Sequence, residues 1–317
     1  MGESKPDSWF HQFLEAFPLS VREYLQTMLK TGGMLSAENC QVVMESLNIS
    51  VETLMQRLLP MAKLYCATTI SGFQVGAVAK ARMSDNDSEI ALFLGANIEF
   101  LEQALTQTIH AEQSAVINAW LQGARQISGI AVTAAPCGYC RQFLYELEGS
   151  QNLKVILHNQ IRGKTTQHNL SDFLPEAFGP HELGSATGLM AAPAQHVDLN
   201  LRSSSNDPFV LEARAAAKKS YAPYSKNFAG CVIKTVDGKM YIGRYAENAA
   251  FNPSLSALHT AIIRMRLDQP GSENIIIRAV LVERPTSISQ RAVCELLLQT
   301  VAPNVNLEYF EAVLSTN

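Results

Sequence analysis

The chain has 317 residues, 47% of them hydrophobic and 17% charged, with a formal net charge of −4 and an isoelectric point near 6.0. That length holds two domains or one large domain with additions, and the apolar fraction builds sizeable cores, which excludes a disordered protein. No global positive field recruits nucleic acid, so the bulk charge favours a small substrate.

The first stretch, 1–68, reads as a helical segment. Trp9, Phe10, Phe13, Leu14 and Phe17 recur at helix spacing until Pro18 interrupts them, and Val21, Tyr24, Leu25 and Leu29 repeat the pattern up to Gly32-Gly33. Ser36 or Asn39 starts a third helix, and Ser50 caps a fourth carrying Leu54, Leu58, Met61 and Leu64. Strands are then expected from Phe73 to Lys80 and Glu89 to Leu94, around a polar surface turn from Ser84 to Ser88. A helix from Thr108 to Leu121, a buried strand from Gly129 to Ala135, a helix from Gly138 to Glu148 and a strand from Leu153 to His158 follow. Two hairpin strands and then alternating helix and strand imply a three-layer α/β sandwich over 69–178.

The segment 179–207, rich in Gly, Ala, Ser, Pro and Asn, reads as a linker, and the earlier pattern returns over 208–317. Phe228–Thr235 and Met240–Gly243 form a hairpin around Asp237-Gly238. A helix over Ser254–Leu267, a strand over Ile275–Glu283, a helix over Ser289–Thr300 and a strand over Leu307–Val313 complete a second copy. Its Tyr245-Ala246-Glu247-Asn248-Ala249 sits where the first copy has Gly95-Ala96-Asn97-Ile98-Glu99. Aligned helices put Ser256 opposite His110 and Leu258 opposite Glu112, and nothing like Cys-x-x-Cys appears near Arg284-Pro285-Thr286-Ser287. The expected fold class is therefore α/β: a duplicated α/β/α sandwich behind an N-terminal helical segment, with chemistry in the first copy.

That chemistry resides in His110-Ala111-Glu112 and Pro136-Cys137-Gly138-Tyr139-Cys140. One imidazole and two thiols are the three protein ligands a catalytic zinc takes while keeping a fourth position for water. Glu112, two residues beyond the histidine, is placed to move protons without binding the metal; H-x-E followed by P-C-x-x-C is the zinc deaminase signature. Helix N-termini favour the thiolates that zinc requires, and Pro136 suits a helix start because it lacks an N–H that would go unpaired. A structural zinc closes with four protein ligands, and no fourth is evident; a redox dithiol leaves His110 and Glu112 unexplained. Catalytic zinc is the favoured reading.

The remaining histidines, His11, His158, His168, His181, His196 and His259, lack metal spacing, and Cys40, Cys66, Cys231 and Cys294 read as small buried residues. Arg141 is a candidate donor to a thiolate, or a surface arginine. One close cysteine pair fits a reducing compartment, no apolar run reaches the ~18 residues of a membrane span, and Met1 to Pro6 lacks signal-peptide features. A cytoplasmic location without membrane partners is expected.

The chain resembles cytidine deaminases, specifically the long homodimeric bacterial type with a degenerate C-terminal repeat. The resemblance is carried by Phe73-Gln74-Val75-Gly76-Ala77, Gly95-Ala96-Asn97-Ile98-Glu99-Phe100, His110-Ala111-Glu112-Gln113-Ser114-Ala115 and Pro136-Cys137-Gly138-Tyr139-Cys140-Arg141-Gln142. Ala177-Phe178-Gly179-Pro180 and the run Tyr245 to Pro253 extend it over most of the chain after residue 68.

The resemblance implies one Zn²⁺ per chain and hydrolysis of free cytidine and 2′-deoxycytidine to the uridines in pyrimidine salvage. It implies that Asn97 and Glu99 hydrogen-bond the ribose 3′-hydroxyl, that Phe73 packs beside the base or sugar, and that the Ala111 backbone and Glu112 read the base edge. Phe178 and Phe251 would enter the pocket of the other subunit of a homodimer; the residues alone read as core phenylalanines. Two departures stand out: Thr69-Ile70-Ser71-Gly72 replaces the family's Pro-Tyr-Ser stretch, which the second copy keeps as Pro223-Tyr224-Ser225, and Ala135 precedes Pro136 where relatives often have Ser or Thr. The competing functions are a nucleotide or single-stranded nucleic-acid cytosine deaminase on the same core, and a non-catalytic zinc scaffold.

Overall fold

The apolar spacing of the N-terminal stretch folds as four helices, α1 (Lys5–Glu15), α2 (Leu19–Lys30), α3 (Ala37–Leu47) and α4 (Val51–Lys63), with a two-residue strand β1 (Met34–Leu35) between the second and third. The Ser36 and Ser50 side chains accept from the backbone N–H groups of Asn39 and Thr53, each satisfying a donor that a helix start leaves unpaired. Along α4, Leu54, Leu58 and Met61 are buried, as their spacing predicts.

The structure is a computed structural model describing residues 5–86, 89–159, 163–192, 197–269 and 275–315. It divides into two units. The first comprises the described residues of Met1–Glu99, Thr108–Ala177 and Arg266–Ser272, and the second those of Phe100–Gln107, Phe178–Met265 and Glu273–Asn317.

In the first unit, β2 (Gly76–Arg82) and β3 (Ile90–Ala96) form the expected hairpin; Asp87 and Ser88 of its turn lie outside the described residues. Then come α5 (Ala111–Leu121), β4 (Gln126–Val132), α6 (Gly138–Tyr145), β5 (Lys154–Asn159), β6 (Lys164–Asn169) and α7 (Leu170–Phe173). The sheet order is β1-β3-β2-β4-β5-β6, parallel between β4 and β5 and antiparallel elsewhere.

The second unit contains β7 (Leu199–Leu201), α8 (Pro208–Lys218), β8 (Ala229–Thr235), β9 (Met240–Arg244), α9 (Ala257–Asp268, which runs past Met265), β10 (Ile276–Glu283), α10 (Arg291–Val301) and β11 (Leu307–Leu314). Its order is β7-β11-β10-β8-β9, with β10 and β11 parallel. The run β3-β2-β4-β5 thus reappears as β9-β8-β10-β11, with the same pairing directions.

Close approaches at glycine show the same duplication at atomic scale. A Cβ on Gly95 would lie 2.1 Å from Ala115 N and 2.5 Å from Ala111 O, and one on Gly243 would lie 2.4 Å from Ala261 N and 2.0 Å from Ala257 O. A Cβ on Gly76 would likewise lie 2.8 Å from the Leu59 carbonyl oxygen of α4, and one on Gly230 2.3 Å from the Ala213 carbonyl oxygen of α8. Gly76 pairs with Ala96 and Gly95 with Ala77, so these two glycines look out from opposite faces of the sheet. Hence α4 and α5 cover opposite faces, as α8 and α9 do in the second unit, and each unit has three layers. Any side chain at Gly95 would push away the helix that His110 begins.

The glycine contacts put Ser256 opposite His110 and Leu258 opposite Glu112, as expected. They also correct one register: the bridges Ile98↔Ile109 and Ala246↔Leu255 make Ala246 the counterpart of Ile98 and Glu247 that of Glu99. Five elements lie outside the sequence-based expectation. β1 and β7 are too short to display a period, and β7 falls within the 179–207 segment. β6, Lys-Thr-Thr-Gln-His-Asn, has no apolar residue and becomes a strand through pairing with β5; the four-residue α7 follows directly from it. α8 carried readable signals, since Asp207 caps it by accepting from Phe209 N and Pro208 occupies its first turn. No helix among the described residues is long and apolar enough to cross a membrane.

Candidate metal centre and active site

His110 and Cys137 occupy equivalent places, each the extended residue just before a helix, α5 and α6 respectively. Cys140 follows within the first turn of α6 and is fully buried, whereas Cys137 is exposed. The three ligand atoms converge: Cys137 Sγ lies 3.8 Å from Cys140 Sγ and 3.5 Å from His110 Nδ1, and Cys140 Sγ lies 3.3 Å from the same nitrogen. Zn–S bonds of ~2.3 Å and Zn–N bonds of ~2.0 Å at tetrahedral angles require edges of about 3.8 and 3.5 Å. The donor set therefore fits zinc in chemistry and in spacing, with His110 presenting Nδ1. Among the described residues, no other group of three His, Cys, Asp or Glu is arranged to hold a metal.

The ligands are electrostatically coupled. Hydrogen bonds from Cys140 and His110 hold the Cys137 thiol down to about 3, and donating to Cys137, together with burial, pushes the Cys140 thiol well up. The same bond to Cys137 raises His110. Glu112, on the first turn of α5, is 4% exposed, and burial pushes its carboxyl above the ordinary carboxylate range. A buried carboxyl beside a metal set is placed to give and take protons.

Two neighbours escaped the sequence reading. Gln113 Oε1 accepts from the His110 backbone N–H at 3.0 Å, and the Gln113 side chain also hydrogen-bonds the Tyr139 hydroxyl. The Tyr139 ring lies 5.3 Å from the His110 ring, centroid to centroid. A glutamine three residues past a helix cap is a capping-box signal, hidden here because the cap is histidine rather than Ser or Thr.

The predicted substrate residues fall in distinct places. Asn97 Oδ1 accepts from Val75 N and its Nδ2 donates to the Phe73 carbonyl, both at 2.9 Å. Glu99 accepts from Ile70 N at 2.7 Å, Ser71 N at 3.0 Å and the Ser71 hydroxyl. These two side chains brace the 70–75 segment, which holds Phe73 57% exposed. Ile98, between them, bridges to Ile109, the residue before His110. In the second unit Glu247 grips Tyr224 N and Ser225 N in the same way, so the altered residues Thr69–Gly72 keep the backbone arrangement of the Pro223-Tyr224-Ser225 stretch. Ala111 is buried at the start of α5. Phe178 and Phe251, in the second unit, are 46% and 64% exposed, which overturns a core reading for both. Arg141 donates to backbone carbonyls, of Pro136 and Phe173, and to neither thiol.

Where the second copy would need a site, Ser256 caps α9 and hydrogen-bonds His259 Nδ1 at 2.8 Å, Leu258 is fully buried, and the Cys294 thiol bonds the Leu258 backbone and Ser256. Cys40, Cys231 and Cys294 are buried, while Cys66 is only partly so. His196 lies outside the described residues.

A duplicated three-layer sandwich that carries a His/Cys/Cys metal set beside a buried acid defines a zinc-binding deaminase. A family model described as the cytidine and deoxycytidylate deaminase zinc-binding region matches residues 48–156, which contain all three ligands and Glu112, and a second model of the same description matches 170–295. The chain is 37% identical over 298 residues to the cytidine deaminase of Aliivibrio fischeri, covering 93% of this chain and 95% of that one. It is 40% identical to the cytidine deaminase of Photorhabdus laumondii (84% and 85% covered) and 41% identical to that of Sodalis glossinidius (80% and 81%). The chain belongs to the cytidine deaminase family.

Proposed function

We propose that the chain deaminates cytidine and 2′-deoxycytidine to uridine and 2′-deoxyuridine with release of ammonia, using one zinc ion held by His110, Cys137 and Cys140. The observation that carries this reading is the convergence of the His110, Cys137 and Cys140 ligand atoms, with the buried carboxyl of Glu112 in the first turn of the helix that His110 caps. Zinc, when bound, acts as a Lewis acid that brings the pKa of water from ~16 toward ~7. Glu112 takes a proton from the water as its oxygen bonds to C4, and delivers that proton to ring N3. It then carries the second proton of the water to the amino nitrogen while the C4–N bond breaks, so that ammonia leaves and the carbonyl of uracil remains.

In this reading Asn97 and Glu99 meet the ribose 3′-hydroxyl, Phe73 flanks the base or sugar, and the Ala111 backbone joins Glu112 at the base edge. The hydrogen bonds that brace the 70–75 segment support it, because they hold both side chains in one orientation before a substrate arrives. A free nucleoside is favoured over a polymer by the net charge of −4, and the reaction serves pyrimidine salvage in the cytoplasm.

The purified protein, mixed with cytidine, cytidine monophosphate and a cytosine-containing single-stranded oligonucleotide in parallel, should convert cytidine fastest by ultraviolet absorbance. Faster conversion of the nucleotide or the oligonucleotide would replace the nucleoside reading. No conversion of any of them despite bound zinc would leave a zinc scaffold. The active form is a homodimer in which Phe178 and Phe251 of one protomer close the pocket of the other; their exposure supports this. Activity should therefore co-sediment with dimer, and activity in the monomer fraction would contradict shared pockets.

A further inference from the structure

We propose that Arg141 is a positioning residue that sets the backbone of Cys137 and so holds the exposed zinc ligand in place; this rests on the three-ligand zinc site. The other two ligands have evident support. Cys140 is fully buried within a helical turn, and His110 is tied through its backbone N–H to Gln113 and lies beside the Tyr139 ring. Cys137 is exposed and sits outside the helix, at φ −70° and ψ 168°.

Both peptide groups flanking its Cα are held by one residue. The Arg141 backbone N–H donates to the Cys137 carbonyl at 3.0 Å, and the Arg141 Nε donates to the Pro136 carbonyl at 2.8 Å. The first bond restrains ψ of Cys137 and the second restrains φ, so the direction of its Cα–Cβ bond follows from where Arg141 is anchored. That anchor lies on another element. The guanidinium donates a further hydrogen bond to the Phe173 carbonyl at 3.1 Å, and its carbon lies 5.1 Å from the centre of the Phe173 ring.

A planar guanidinium is suited to this place, since it binds two carbonyls in fixed directions while stacking on a ring face. Lysine offers a single rotatable ammonium and can reproduce one carbonyl contact but not the fork. A methionine of similar length keeps apolar contact with Phe173 and loses both side-chain bonds.

The test uses full-length Arg141→Met and Arg141→Lys proteins, with zinc affinity measured by competition against a chromophoric chelator. The thiolate-to-cobalt charge-transfer band is recorded after replacement of zinc by cobalt(II). Arg141→Met should bind zinc about 10–100-fold more weakly, the range for loss of a group that orients a metal ligand, with a weaker or displaced cobalt band. Arg141→Lys should fall between it and the parent. Where Arg141→Met does not accumulate as folded protein, the lysine variant decides by the same two readings. Parental affinity together with a parental cobalt band in the folded variants would overturn the proposal, as would a lowered unfolding temperature of the zinc-free protein with zinc affinity unchanged. Failure of the parent itself to bind zinc would instead overturn the site on which the proposal rests.

Discussion

Glu112→Gln should give a folded protein with its full complement of zinc that turns over cytidine at least about 10²–10⁴-fold more slowly, the usual worth of one general acid–base group. The substitution is nearly isosteric, and an amide can still form a hydrogen bond with the Cys140 side chain, which Glu112 contacts. What the amide cannot do is carry a proton. In the proposed sequence Glu112 carries one twice, to N3 and then to the departing nitrogen, so the loss falls at the upper end of that range or beyond. Stability should not fall, because a neutral amide at this 4%-exposed position removes the cost of burying a charge. Steady-state kinetics and metal content measured on the same preparation check the prediction. Turnover within a few-fold of the parent would take Glu112 out of the mechanism.

The second large effect is expected from Cys137→Ala. Its exposed thiol contributes little packing and loses chiefly its hydrogen bonds with Cys140 and His110, so the zinc-free variant should unfold within about 1–2 kcal/mol of the zinc-free parent. Zinc affinity should fall by more than the ~100-fold that loss of a mere orienting neighbour costs, since two ligands remain where three stood, and turnover should fall with it. Cys140→Ala is the poorer test, because Cys140 is fully buried and its removal also leaves a cavity. Chelator competition and metal analysis read the outcome. Stoichiometric zinc in Cys137→Ala after dialysis against chelator would contradict the ligand assignment.

The metal site was legible because its information is local. Cys-x-x-Cys at a helix start places two sulfurs within one turn, and a histidine capping the preceding helix brings its own acid, Glu112, along the same turn. The long helices and the central strands were legible for a similar reason, since one buried face imposes its period on the sequence. The edges of the sheets were not. β1 and β7 are too short to have a period, and β6 is polar throughout, so only a neighbouring strand makes each of them a strand. The first-copy counterpart of Glu247 was also misread by two positions, because local sequence likeness carries no register; the bridges of Ile98 and Ala246 do.

By itself the sequence determined the ligand types, the candidate proton carrier, the duplication and the replacement of His110 by Ser256 and of Glu112 by Leu258 in the second copy, all properties of residue identity and short spacing. Only the tertiary structure decided that two thiols and an imidazole meet within 4.8 Å of one another. It also decided that Asn97 and Glu99 brace the 70–75 segment, and that Arg141 reaches Pro136 and Phe173 instead of a thiol. Those contacts join residues distant in the chain, and what brings them together is helices packing on opposite faces of a sheet at glycine-sized separations, such as that at Gly95.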